Sequence, residues 1–121
     1  MNIYEDSGIL IADDITRFDM SAGLEICERF EEIEKDRDIP MRIVDLTAVQ
    51  TLELDFRAVN SLSDRRRPCA PAGKTAFIYG NEVMHGFCNM WRLLMADVER
   101  LSIRGFDTRE RSVAWLQETD S

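Results

Sequence analysis

The chain is poor in the residues that usually announce chemistry. It has one histidine, His85, and no Cys-x-x-Cys pair among its three cysteines, Cys27, Cys69 and Cys88. A single histidine with no cysteine or serine partner nearby in sequence is thin ground for acid–base catalysis. An odd number of widely spaced cysteines suggests neither a zinc knuckle nor a redox pair. Positive charge is also short. Lys+Arg 15 against Asp+Glu 23 leaves a net charge of −8. That disfavours nucleic acid or an anionic membrane as a partner, because phosphate contacts need concentrated lysine and arginine. No glycine-rich phosphate loop is present, since Pro71-Ala72-Gly73-Lys74-Thr75 precedes a strand pattern instead of following one. The first residues are neither basic nor a long apolar run, so no signal peptide and no transmembrane segment are expected. Free thiols fit a reducing, cytoplasmic setting. No cofactor, metal site or catalytic residue is expected.

What is present fits one globular domain over residues 1–121, with 45% hydrophobic and 31% charged residues. Met41-Arg42-Ile43-Val44-Asp45-Leu46 follows Pro40 and reads as a buried central strand. Ahead of it, Asn2–Glu5 and Ile9–Asp13 read as a hairpin around Asp6-Ser7-Gly8, where Gly8 can take φ > 0. Asp13–Phe18 reads as a loop. Asp19 or Ser21 then caps a helix to about Arg37, with Leu24, Cys27, Phe30 and Ile33 inward. Its glutamates, Glu25, Glu28, Glu31, Glu32 and Glu34, read as a solvated face.

Beyond the central strand, Thr47–Leu54 is expected to be a connection. The pattern then predicts a helix from about Asp55 to Arg66 with Phe56, Val59 and Leu62 inward. Arg65-Arg66-Arg67 lies at its C-terminal end, where positive charge suits the helix dipole. Pro68–Gly73 reads as a loop and Thr75–Tyr79 as the next strand. A helix capped by Asn81 runs to about Asp97 and carries two adjoining apolar stripes, Val83/Phe87/Met90/Leu94 and Met84/Cys88/Trp91/Met95. That arc exceeds what a surface helix needs, so the helix is expected to be buried on two sides or to form a homodimer interface. Gly86 within it suggests close packing. Leu101–Phe106 reads as a last strand. Asp107, with Glu110 three residues on, reads as the cap of a final helix to about Glu118. Strands alternating with helices give an α/β fold with a mixed, mostly parallel sheet and four helices.

Three stretches together resemble a known family. Ile43-Val44-Asp45-Leu46-Thr47 resembles the central strand of STAS-type domains. Thr75–Tyr79 followed by the Asn-capped helix with Gly86, Met90 and Trp91 resembles the second half of small bacterial SpoIIAA-like proteins. So does the ending Ile103-Arg104-Gly105-Phe106 then Val113-Ala114-Trp115-Leu116. The resemblance covers nearly the whole chain in element order. It implies a right-handed β/α superhelix and a non-enzymatic regulatory module that binds a partner protein or a small apolar or anionic ligand. It also carries a departure. The switch serine of anti-sigma antagonists would fall at Glu53-Leu54-Asp55-Phe56, which offers no hydroxyl, so phosphoswitching there is not expected.

Open α/β sheets place ligands at strand C-terminal ends, which nominates Asp14, Thr47, Tyr79 and His85, with Phe87 and Trp91 beside them. Two competing readings stand next to this one. Asp13 and Asp14, with Asp45 as acceptor, look like the Mg²⁺-binding carboxylates of a receiver domain, although only one helix separates them and no lysine follows the last strand. A lipid-binding domain would need a long apolar cavity beside Phe87, Trp91 and Met95.

Overall fold

The computed structural model describes residues 1–69 and 72–118. Its strands are β1 (Asn2–Asp6), β2 (Ile9–Asp13), β3 (Arg17–Asp19), β4 (Met41–Asp45), β5 (Thr51–Glu53), β6 (Gly73–Ile78) and β7 (Leu101–Phe106). Its helices are α1 (Met20–Glu34), α2 (Phe56–Arg66), α3 (Glu82–Leu94) and α4 (Arg109–Leu116). β1 and β2 form the hairpin, closed by Ser7 and Gly8, both with positive φ (54° and 79°). Such a pair of left-handed residues matches the twist of the strands it joins. The main sheet has the order β1-β2-β4-β6-β7, antiparallel only at β1–β2 and parallel elsewhere. The fold is therefore α/β with a mixed, mostly parallel five-stranded sheet and four helices.

Two elements went unread in the sequence. Arg17–Asp19 and Thr51–Glu53 pair in parallel as a separate two-stranded sheet. Each is only three residues long and lies in a stretch that reads as a connection, and neither has enough residues to display a period. In the stretch expected to be the Pro68–Gly73 loop, Pro68 and Cys69 close a short 3-10 helix (Arg67–Cys69), Gly73 already opens β6, and Ala70 and Pro71 lie outside the described residues.

Each helix starts with a side-chain cap of the kind that satisfies an otherwise orphaned N–H. Asp19 accepts from Ala22 N, Asp55 from Ala58 N, Asn81 from Met84 N and Thr108 from Arg111 N. The last of these corrects the expected cap at Asp107 by one residue. Glu110 remains in the first turn, where its charge suits the dipole.

Side chains alternate across the sheet, so each strand serves two cores. Leu10, Ala12, Val44 and Phe77 face α1 and α3, with Ile26, Phe30, Phe87 and Cys88 packed on them. Ile9, Ile11, Ile43, Ala76 and Ile78 face α4, where Leu116, Val113 and Trp115 close a smaller core. Helix α2 packs chiefly on α1 and α3 rather than on the sheet. Its Leu62 lies so near Gly23 of α1 that a Cβ there would stand 2.6 Å from Leu62 Cδ1.

The sequence-based inward set needs three corrections. Phe56 is 62% exposed, while Val59 and Leu62 are buried as expected. On α3, Met84, Phe87, Cys88 and the following Met95 are buried, but Val83 is 62% exposed, and Leu93, which belongs to neither stripe, is 71% exposed. Gly86 has nothing within 4 Å of where its Cβ would be, so no close neighbour explains it. No helix among the described residues is long and apolar enough to cross a membrane.

Candidate functional site

The six nominated residues do not come together as one site. They fall into three places, and the side chains that organise two of those places are arginines.

The first place is the C-terminal end of β2 and β4, on the α4 side. Asp13 and Asp45 end adjacent parallel strands, and Arg109, the first residue of α4, reaches between them. Its Nη2 lies 3.1 Å from Asp13 Oδ2 and 3.1 Å from Asp45 Oδ2. Tyr4 from β1 donates its hydroxyl to Asp13 Oδ2 at 2.6 Å, and Arg109 Nη1 donates to that same hydroxyl oxygen at 3.4 Å. Burial pushes the Asp13 carboxyl up, but hydrogen bonds from Tyr4, Arg109 and Asn2 outweigh it and hold the group below its ordinary range. The bond to Asp13 chiefly raises the Tyr4 hydroxyl, and the Arg109 guanidinium is held even more firmly charged than usual. Thr47 donates both its N–H and its hydroxyl to Asp45 Oδ1, at 3.0 and 2.6 Å. Asp14 is exposed, with a left-handed backbone (φ 54°).

This geometry bears on the Mg²⁺ reading. The place a divalent cation would take between Asp13 and Asp45 is held by a guanidinium, Thr47 occupies the other oxygen of Asp45, and Asp14 stands apart. Among the described residues no group of three or more His, Cys, Asp or Glu side chains is arranged to hold a metal.

The second place is the start of α3. Tyr79 and His85 stack, with ring centroids 5.0 Å apart and planes at 19°. Asn89 Nδ2 lies 3.2 Å from His85 Nε2, which fixes the ring by a neighbour one turn on. The Tyr79 ring also closes over Gly105 of β7, where a Cβ would meet it at 2.4 Å. Burial chiefly raises the Tyr79 hydroxyl.

The third place is a half-open pocket between α2 and the sheet. Because α2 bridges α1 and α3 instead of reaching the sheet, a gap remains beneath it. This cavity measures about 60 Å³, and Phe87, Trp91 and Met95 of the α3 segment form one wall. Phe18 and Phe30 close it from the α1 side, and Ile103 from β7. Phe87 stacks edge-on to Phe18 and Phe77 and lies face to face with Trp91. One end of the cavity is different. There Arg42, Arg66 and Thr75 line the wall.

These arginines belong to a buried ionic group that sequence reasoning missed. Arg42, on the α1–α3 face of β4, is 1% exposed. It donates from Nε to Thr75 Oγ1 at 2.9 Å and from Nη1 to Glu34 Oε2 at 2.9 Å. Burial lowers the proton affinity of its guanidinium. Arg66, 7% exposed, donates to Glu34 Oε1 at 2.8 Å and to Glu31 Oε2 at 3.2 Å. Arg65 takes both oxygens of Glu31 at 3.0 Å. Two of the five glutamates expected on a solvated face are thus inward partners for α2 and β4, whereas Glu25, Glu28 and Glu32 are exposed as expected. One signal was available. Arg42 sits between Met41 and Ile43 in an apolar strand, and a charge at an inward strand position demands a partner. No comparable sequence signal marks Arg109, which meets Asp13 and Asp45 across 96 and 64 residues.

Cys27 and Cys88 lie on the inward stripes where the sequence places them. Cys27 and Cys88 are buried and Cys69 is exposed. Burial pushes the Cys88 thiol up to about 12 and raises Cys27 as well, so neither is a nucleophile at neutral pH.

Comparison with family models, with curated proteins and with solved structures gives no match to this chain. The class is therefore set by the fold alone: an α/β domain with one helix on one sheet face and three on the other.

Proposed function

We propose that this chain is a non-enzymatic, cytoplasmic regulatory module of the SpoIIAA-like, STAS-type kind, and that it binds a small ligand in the cavity beneath α2. The observation that carries this reading is the cavity itself, an apolar gap of about 60 Å³ with two guanidinium groups at one end. An interior ordinarily closes such gaps, because each void forfeits packing contacts. The sheet order, with β1 antiparallel at the edge and α4 alone on the second face, agrees with the SpoIIAA-like reading. The size of the gap favours a compact ligand over a long acyl chain. The Arg109 bridge between Asp13 and Asp45 speaks against a receiver that handles Mg²⁺ and phosphoryl groups there.

Native mass spectrometry of gently purified protein tests the proposal. Added mass that disappears on denaturation is the expected result. A clean spectrum at the chain mass of 14.0 kDa, or at twice that, overturns it.

One observation favours a second reading, a protein-interaction surface on the helix read as 81–97. Val83, Gly86 and Leu93 share an exposed face of α3, spaced so that they line one side of the helix. Sedimentation at micromolar concentration is its test. A species of twice the chain mass supports a homodimer, and a single species at the chain mass removes it.

A further inference from the structure

The outer side of α3 carries an apolar stripe that the described residues leave uncovered. Val83, Gly86, Met90 and Leu93 follow one another at steps of three, four and three residues, the spacing that keeps a stripe on one side of a helix. Val83 and Leu93 are largely exposed, Gly86 is exposed and Met90 half-buried. The core is served by a different side of the helix, through Met84, Phe87 and Cys88. The stripe is symmetric about its middle. Val83 and Leu93 stand equally far from that middle, and so do Gly86 and Met90. Laid antiparallel against itself, the stripe sets a valine on a leucine at each end and a glycine on a methionine inside. Gly86 has open space where a Cβ would be, and methionine is the long, flexible side chain that fills such a gap.

Charge repeats the symmetry. Glu82 and Arg92 lie on one flank of the stripe, beside Asn89, to which Arg92 donates at 3.4 Å. The Glu82 side chain is wholly exposed, and its one ion-pair contact among the described residues is His85, at 4.0 Å. Antiparallel pairing brings each Glu82 level with the other copy's Arg92. The helix holds no other acidic residue, lysine or arginine. It is thus a neutral face on a chain of net charge −8, where two copies approach without mutual repulsion.

We infer that two copies of this chain associate through antiparallel α3 helices about a two-fold axis, with Val83 on the partner's Leu93, Gly86 on the partner's Met90 and Glu82 paired with the partner's Arg92. This rests on the second reading above, a homodimer through this helix, and gives it a geometry. In a two-fold interface each contact occurs twice, so a stripe that matches itself serves a second copy better than an unrelated partner. One helix about 20 Å long makes a contact at the small end of specific interfaces, and the association belongs in the micromolar range.

Sedimentation of the full chain from about 1 µM to about 300 µM tests this, and a reversible monomer–dimer equilibrium is expected. Gly86→Lys fills open space in the single chain but sets an ammonium group into the stripe on both sides of the axis, and should weaken the dimer more than about tenfold. Glu82→Arg alone, and Arg92→Glu alone, each turn two attractive pairs into two repulsive ones and should weaken it about fivefold. The double swap should restore it to within about twofold, because the pairs are then re-formed with their signs exchanged. A chain that stays monomeric throughout, or a dimer indifferent to Gly86→Lys, overturns this pairing together with the reading it rests on. A dimer that Gly86→Lys weakens but the double swap does not restore overturns the antiparallel register and leaves the α3 interface standing. Should Gly86→Lys not fold, the charge series decides alone: restoration by the swap supports the pairing, and its failure overturns it.

Discussion

Arg42 and Arg109 do the same job in two different settings. Each is a guanidinium that ties a sheet strand to a helix through carboxylates, Arg42 to Glu34 of α1 and Arg109 of α4 to Asp13 and Asp45. The side chain of Arg42 is almost wholly enclosed, whereas that of Arg109 is 41% exposed. The first pair therefore sits where its neighbours cannot be replaced by water, and the second where they can. Burial, not the count of ion pairs, decides which of the two the fold depends on. The buried one also borders the cavity beneath α2, so disturbing it should disturb the wall of that cavity as well.

The contrast predicts a ranked series. Glu34→Ala should be the most damaging. It leaves both Arg42 and Arg66 short of a carboxylate, and breaking a buried pair by deleting one partner costs about 3–5 kcal/mol. Urea unfolding measures this, and a loss of less than about 1 kcal/mol, the value of an exposed pair, would erase the distinction. Gly23→Ala should come next, at about 1–3 kcal/mol. Its new Cβ would stand 2.6 Å from Leu62 Cδ1, so the buried Leu62 side chain beside the cavity must shift. Unfolding by urea again measures the loss, and altered Met95 and Ile103 methyl signals should accompany it, since both residues line that cavity.

Arg109→Gln tests the exposed half. The stability change should not exceed about 1 kcal/mol and should shrink further in high salt. Its sharper signature is in pH. The folded carboxyl of Asp13 lies below its ordinary value, so its stabilising contribution is complete above that ordinary range, about 4, and is lost as pH falls through the lower folded value. Removing Arg109 should move the Asp13 carboxyl upward and reduce the stability lost on acidification. A carboxyl NMR titration reads the first and urea unfolding across that pH range the second. An Asp13 carboxyl that does not move would mean that Tyr4 and Asn2 suffice to hold it.

How much of this was legible in the sequence follows from the range of each interaction. The five long strands and four helices write their periods and caps into neighbouring residues. Asn81 caps its helix where the sequence places it, Asp19 is the one of the two candidates that caps α1, and Asp55 caps α2 at the expected helix start. β3 and β5 owe their existence to one another, and three residues carry no period. Of the nominated strand-end residues, Thr47 bonds to Asp45, Tyr79 stacks on His85 in a separate place, and Asp14 is exposed with neither pair. Phe87 and Trp91 line the half-open cavity beneath α2 instead. Glu31 and Glu34 looked like members of a solvated run because their partners, Arg65 and Arg66, lie over thirty residues away. An ion pair that spans elements leaves no local pattern, except where, as at Arg42, a charge stands in an inward position.

The smallest effect is expected on the outer face of α3. Leu93 is 71% exposed and Val83 62%, so each has little burial to lose, and substitutions at such positions usually change stability by no more than about 0.5 kcal/mol. Leu93→Ser in an isolated monomer should therefore be nearly silent in urea unfolding. If the same substitution destabilises the protein in proportion to its concentration, Leu93 is covered in solution, because stability that grows with concentration is the mark of association. Silence at all concentrations would leave the face bare and place the functional weight of the molecule on the cavity behind it.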